Sequence, residues 1–219
     1  MIIAGHPVIT LGLEDAYDLG GEFFRWEFAT AIAGHLLGIN PFDQPNVQET
    51  KTYTKQLLDY LSEHGNLPQE EPVLEENGLT LYADGKTAET LHCVVEQRRF
   101  DYGDLINMLL AHMSLARSGD YIALMAYLAA TERHNQLLEA IRQELRHATT
   151  RAVTLGYGPR FLHSTGQLHK GGANNGLFLQ ITADPVEDIE IPTQGMSFGT
   201  LELAQALGDY EALKASGRR

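Results

Sequence analysis

DYIALMAY, residues 120–127, is apolar from Ile122 to Tyr127 without strict alternation. A half-exposed strand alternates polar and apolar side chains. An unbroken run fits a strand covered on both faces, as in a parallel sheet between helical layers. The surrounding pattern agrees. Downstream, a helix is expected over about 132–147, a strand over 151–156, a strand at 177–183 (LFLQITA) and a C-terminal helix from about Phe198, capped by Ser197. Upstream come a strand at 79–83 (LTLYA) and helices over about 87–96 and 102–117. Helices alternating with such strands predict an α/β fold, a layered αβα domain with a largely parallel or mixed sheet over 79–219.

Residues 65–77, GNLPQEEPVLEEN, are acidic and hold two prolines, so 65–78 is read as a surface linker. Before it, PVITLGL (7–13) has strand character but no preceding helix, which marks residues 1–64 as the end of an incomplete domain. Asp18 is placed to cap a helix over about 22–37, largely buried, with Phe23, Phe24, Phe28, Ile32 and Leu36 on an apolar face and Ala29, Ala33 and Gly34 allowing close packing. Gly38 stops that helix and Asn40-Pro41 opens a turn. Asp43 is the expected N-cap of a second helix, with Pro45 in its first turn and Val47, Leu57, Leu58 and Leu61 inward, ending near His64.

A formal net charge of −13 disfavours nucleic acid and anionic membrane as partners. It does not disfavour a small phosphate ester, which a few placed cations and backbone N–H groups can hold. The single cysteine, Cys93, excludes an internal disulfide, fits a cytoplasmic location, and is read as a small buried apolar residue. The first residues have neither a basic leader nor a long apolar core, so no signal peptide is expected. No run reaches the roughly 20 apolar residues that span a bilayer.

Two polar stretches stand out as candidate chemistry. GINPFDQPNVQETK (38–51) reads as a turn that aims Gln44 and Lys51 from the start of a helix. GYGPRFLHSTGQLHKGGANNG (156–176) lies between two apolar strands, where α/β folds place ligands. Arg160, His163, Ser164, Thr165, Gln167, His169 and Lys170 there form a candidate anion site with a titratable imidazole. Gly171-Gly172 lacks the phosphate-loop pattern and a strand is expected next, so a structural loop at an interface is the alternative. No metal or cofactor motif is present.

The 38–51 stretch resembles the signature of the glucose-6-phosphate isomerase family, a Gly-x-Asn-x-Phe-Asp-Gln turn with a lysine seven residues after the glutamine. EFFRWEFATAIAGHLLGINPFDQP looks like that family's preceding helix, with a glutamate and a glycine at Glu27 and Gly34. The chain departs from the common pattern at Asn46 and at Gln48-Glu49-Thr50. The 157–182 stretch looks like the C-terminal region of fused transaldolase/isomerase proteins, and HSTGQLHKG echoes the segment bearing the ring-opening histidine of ordinary isomerases, here His163.

The resemblance implies catalytic roles for Lys51, Gln44 and His163 and a place for Glu27 at the pocket wall, while Arg160 and Lys170 of the polar stretch are the expected substrate anion contacts. It implies interconversion of glucose 6-phosphate and fructose 6-phosphate through an enediol. No counterpart of the family's phosphate-gripping loops, its proton-moving glutamate or a transaldolase barrel is present, so the chain is expected to be inactive alone and to need the missing N-terminal part of the enzyme as partner. A homo-oligomer is left open. The competing expectations are an assembly module and a free-standing phosphate-binding protein using residues 160–172.

Overall fold

The computed structural model describes residues 5, 7–99, 103–160 and 164–219, the side chain of Ser164 excepted. Two compact units divide at the turn, Met1–Asp43 and Gln44–Arg219.

In the first unit the expected strand over 7–13 does not form, and all seven residues are exposed. A strand needs a neighbour for its backbone groups, and among the described residues this unit offers none. Helix α1 (Asp18–Leu37) begins four residues earlier than expected. Asp18 sits inside the first turn, and its carboxylate accepts from the backbone N–H of Glu14 at 2.7 Å. Gly38 ends the helix as read, in a left-handed conformation at φ +69°. The expected burial fails: within α1 only Gly34 is buried, while Phe23, Phe24, Trp26 and Phe28 are more than half exposed. One helix and a turn contain no second layer to cover an apolar face.

The second unit opens with α2 (Pro45–His64), whose N-cap is Gln44 rather than Asp43. Part of the expected linker is a hairpin, β1 (Leu74–Glu76) and β2 (Leu79–Leu81), joined at Asn77-Gly78, both with positive φ as a two-residue turn demands. Asp84 caps α3 (Gly85–Arg98) and Asp104 caps α4 (Leu105–Met113), each accepting two backbone N–H bonds. Leu91, Val95, Met108 and Ala111 join these helices, with Val73, Leu74 and Leu81 of the hairpin region against them. Cys93, expected buried, is exposed on α3.

The central sheet is built from β3 (Tyr121–Tyr127), β4 (Ala152–Tyr157) and β5 (Gly176–Thr182), with α5 (Glu132–Thr149) and α6 (Ser164–Gly171) as crossovers. The order is β4-β3-β5, all parallel, with Tyr121 opposite both Ala152 and Gly176. After the short pair β6 (Glu190–Ile191) and β7 (Met196–Ser197), helix α7 (Phe198–Ala215) runs back with Ser197 as its N-cap, as expected.

The sheet is covered on both faces, so the reading of 122–127 holds. Ala123, Met125 and Tyr127 pack with Ala206 and Leu213 of α7. Ile122 and Leu124 pack with Val153 and Leu177, under Met113 of α4 and Leu145 of α5. The fold is a layered αβα sandwich with a mostly parallel sheet. From β3 the chain crosses to β4 on one side and returns to β5 on the other, so right-handed crossovers put α5 and α6 on opposite faces. That places α6 beside α7 and α2. Among the described residues no helix is long and apolar enough to cross a membrane.

Candidate functional site

The two polar stretches meet. Asn46, one residue into α2, exchanges two hydrogen bonds with Gln167 of α6: its backbone N–H donates to Oε1 at 3.1 Å, and its Oδ1 accepts from Nε2 at 2.9 Å. A turn further along α2, Thr50 is buried, and its Oγ1 accepts from Lys170 Nζ at 2.9 Å. Lys170 also pairs with Asp209 of α7, and the two side chains are 0% and 1% exposed. The Thr50 hydroxyl lies 3.4 Å from Asp209 Oδ1 and 3.4 Å from the Asn46 carbonyl, so one side chain joins α2, α6 and α7.

Local sequence explains why the three helices approach so closely. A Cβ on Gly171 would stand 2.7 Å from Gln167 Nε2 and closer still to Asn46 Oδ1. A Cβ on Gly208 would stand 2.9 Å from the backbone nitrogen of Thr54 and 3.2 Å from its Cα. Gly171 therefore serves helix contact, and the expected loop over 156–176 contains a full helix. Strand, loop and helix do occur here in that order, contrary to expectation. Glycine and polar content hid α6, whose single large apolar side chain, Leu168, gives no helical stripe.

Burial pushes the Asp209 carboxyl above the usual carboxylate range, and the Lys170 ammonium and Thr50 hydroxyl draw it partly back. Tyr127 lies in the same region, its phenol pushed up chiefly by burial and further by Asp209 and Glu202. Beyond Lys170, His169 is buried between Tyr121, whose hydroxyl sits 2.8 Å from Nδ1, and the ring of Phe178. Burial, with Lys170 and Arg218 adding repulsion, lowers the imidazole to about 4. An unfolded histidine titrates near 6.5. The folded chain therefore binds fewer protons between about pH 6.5 and 4, and stability falls as pH drops through that window. NMR titration should show the His169 ring neutral down to about pH 4, and a ring titrating near 6.5 would contradict the buried geometry.

The expected site residues fall into three settings. Gln44 and Lys51 are both exposed near the start of α2, and neither side chain has a hydrogen-bond partner among the described residues. Arg160 is exposed just after β4, and His163 lies outside the described residues. Lys170, expected at the substrate, is enclosed with Asp209, so its ammonium is closed to a ligand in this chain. Glu27 is exposed on α1, in the other unit.

Asp209 and Thr50 were missed as partners of Lys170. An acid directly after a glycine in the largely apolar stretch LAQALGDYEAL was the available signal for Asp209.

No protein-family model matches the chain. A solved structure of a hypothetical protein from Thermus thermophilus superposes with a TM-score of 0.48 at 22% identity, covering 61% of this chain and 37% of its own. Several curated proteins match part of the sequence. A glucose-6-phosphate isomerase of Heliobacterium modesticaldum is 46% identical over 44 residues, 20% of this chain and 10% of its own length. One from Latilactobacillus sakei is 41% identical over 63 residues, 28% and 13%. One from Limosilactobacillus fermentum is 48% identical over 50 residues, 22% and 11%. The matched part of this chain is thus similar in sequence to glucose-6-phosphate isomerases, and it spans little more than a tenth of the length of these relatives.

Proposed function

We propose that this chain carries one part of the active site of a glucose-6-phosphate isomerase, of the type fused to a transaldolase, acting in the cytoplasm on glucose 6-phosphate and fructose 6-phosphate. The observation that carries the reading is the start of α2, where Gln44 and Lys51 are exposed while Asn46 and Thr50 pin the helix from behind.

Aldose–ketose exchange needs a held phosphate, ring opening, a base that moves a proton between neighbouring carbons, and positive charge near the enediolate. The Lys51 ammonium supplies charge at the ring oxygen and the developing enediolate. Gln44, exposed as the N-cap of α2, orients sugar and phosphate. Arg160 is an anion contact after β4, His163 follows it in sequence, and a substrate role for Glu27 rests on the family resemblance alone. Lys170 acts from inside the fold. The base and the main phosphate grip come from the remainder of the enzyme, and the uncovered aromatic face of α1 supports such a remainder.

Fructose 6-phosphate is expected to raise the melting temperature of the 219-residue chain, and Lys51→Ala to abolish that rise. The chain alone should give no turnover in a coupled isomerase assay, and ordinary enzyme rates from it would refute this assignment. The exposed α1 face also favours a second reading, an assembly module. That reading predicts a concentration-dependent dimer indifferent to sugar phosphate.

A further inference from the structure

We propose that the Lys170–Asp209 pair, acting through Thr50, is a positioning device that sets where Gln44 and Lys51 leave α2. The inference rests on the function proposed above for those two residues.

Three observations carry it. The pair is wholly enclosed, and Thr50 is its contact on α2. Such a pair is weak evidence for stability, because desolvating two charges offsets much of their attraction, and apolar residues of similar volume usually serve a core as well. What directional hydrogen bonds add over an apolar contact is a fixed register. Leu57, Leu58 and Leu61 are only partly buried and make contacts without direction, whereas the bond from Lys170 Nζ to Thr50 Oγ1 at 2.9 Å is directional and adds to the close approach of Gly208 to Thr54.

Second, Thr50 immediately precedes Lys51, so the rotation of α2 that satisfies the pair also fixes the direction of the Lys51 side chain. Third, the Asn46–Gln167 exchange sets the same register one turn earlier, two residues after Gln44. Both anchors lie on α6, in the segment that follows Arg160. A displacement of α6 would therefore move both proposed ligand-binding residues of α2 together. Lys170 and Asp209 touch no substrate in this arrangement and are positioning residues.

The test uses the 219-residue chain and four forms of it: wild type, Thr50→Val, Thr50→Ser, and the double variant Lys170→Met with Asp209→Leu. Thr50→Val keeps the side-chain shape and deletes the hydroxyl, and Thr50→Ser keeps the hydroxyl. Two quantities are read beside the melting temperature. One is the NMR signal of Lys51 after reductive methylation with ¹³C, assigned with Lys51→Arg. The other is affinity for fructose 6-phosphate by calorimetry.

The double variant should melt close to wild type and Thr50→Val a few degrees below it, yet both should shift the Lys51 signal and bind fructose 6-phosphate about tenfold more weakly, the scale of one hydrogen bond to a charged group. Thr50→Ser should match wild type in both. A Lys51 signal common to all four forms, or an affinity that falls only in step with melting temperature, overturns the proposal. A wild-type chain that binds no fructose 6-phosphate overturns the proposed function instead, while the Lys51 signal still decides whether the pair positions it.

Discussion

Asp209→Ala is expected to remove about 3–5 kcal/mol of stability, the usual result of deleting one member of a buried ion pair. Lys170 would be left with one hydroxyl for a partner, at a position where its side chain has no exposure. It must then shed its proton, admit water or pull α6 away from α7, and each course loosens the contact among three helices. For a chain of this length the loss corresponds to a fall of roughly 10 °C in melting temperature. Denaturant unfolding at neutral pH measures it directly, and a midpoint within error of wild type would show that the pair is not enclosed as described. Lys170→Met with Asp209→Leu should be far milder than Asp209→Ala, since it removes both charges and returns apolar volume.

Gly208→Val is expected to cost about 2–3 kcal/mol by overpacking. The sign is not obvious from propensity, because replacing a mid-helix glycine normally favours the helix by a few tenths to one kcal/mol. Geometry decides it. The new Cβ would meet the Thr54 backbone nitrogen at 2.9 Å and Cα at 3.2 Å, and backbone within a helix cannot swing aside as a side-chain tip can. Trimming the partner with Thr54→Gly should therefore restore little. If the double variant recovers wild-type stability, the crossing of α2 and α7 is looser than its glycine implies.

The layered α/β class was legible because Ile122–Tyr127 is apolar without alternation, short enough for a doubly covered strand, and set among alternating helices and strands. Ser197 as a cap was legible because capping is local chemistry. The failures occur where local signals meet missing or distant partners. PVITLGL has the composition of a strand, but pairing is a property of two segments, and the second is absent from its unit among the described residues. The aromatic face of α1 was read as buried because aromatic content reports what a helix would cover, not whether a cover is present. Asp43 looked like a better N-cap than Gln44, yet Pro45 at the first helical position makes the residue before it the cap.

The site was legible in part. Gln44 and Lys51 stand out by motif, and α2 presents both at its exposed start. Lys170 looked like an anion ligand because a lysine in a polar, glycine-rich stretch usually faces water. Its partner lies 39 residues away on α7, and its second contact lies 120 residues back on α2. No window of sequence contains that arrangement.

Those separations also set the order in which the chain can become itself during synthesis. Helix α2 is made before α7, and Thr50 meets Asp209 only after 159 further residues have been made. The central strand waits as well, because Ala123 and Met125 pack against Ala206 and Leu213 of α7. A ribosome stalled before α7 would hold a sheet open on one face and a helix with its polar anchor unmatched. Helix α7 closes both at once, so the second sheet face and the anchor of α2 should form in one step rather than in succession.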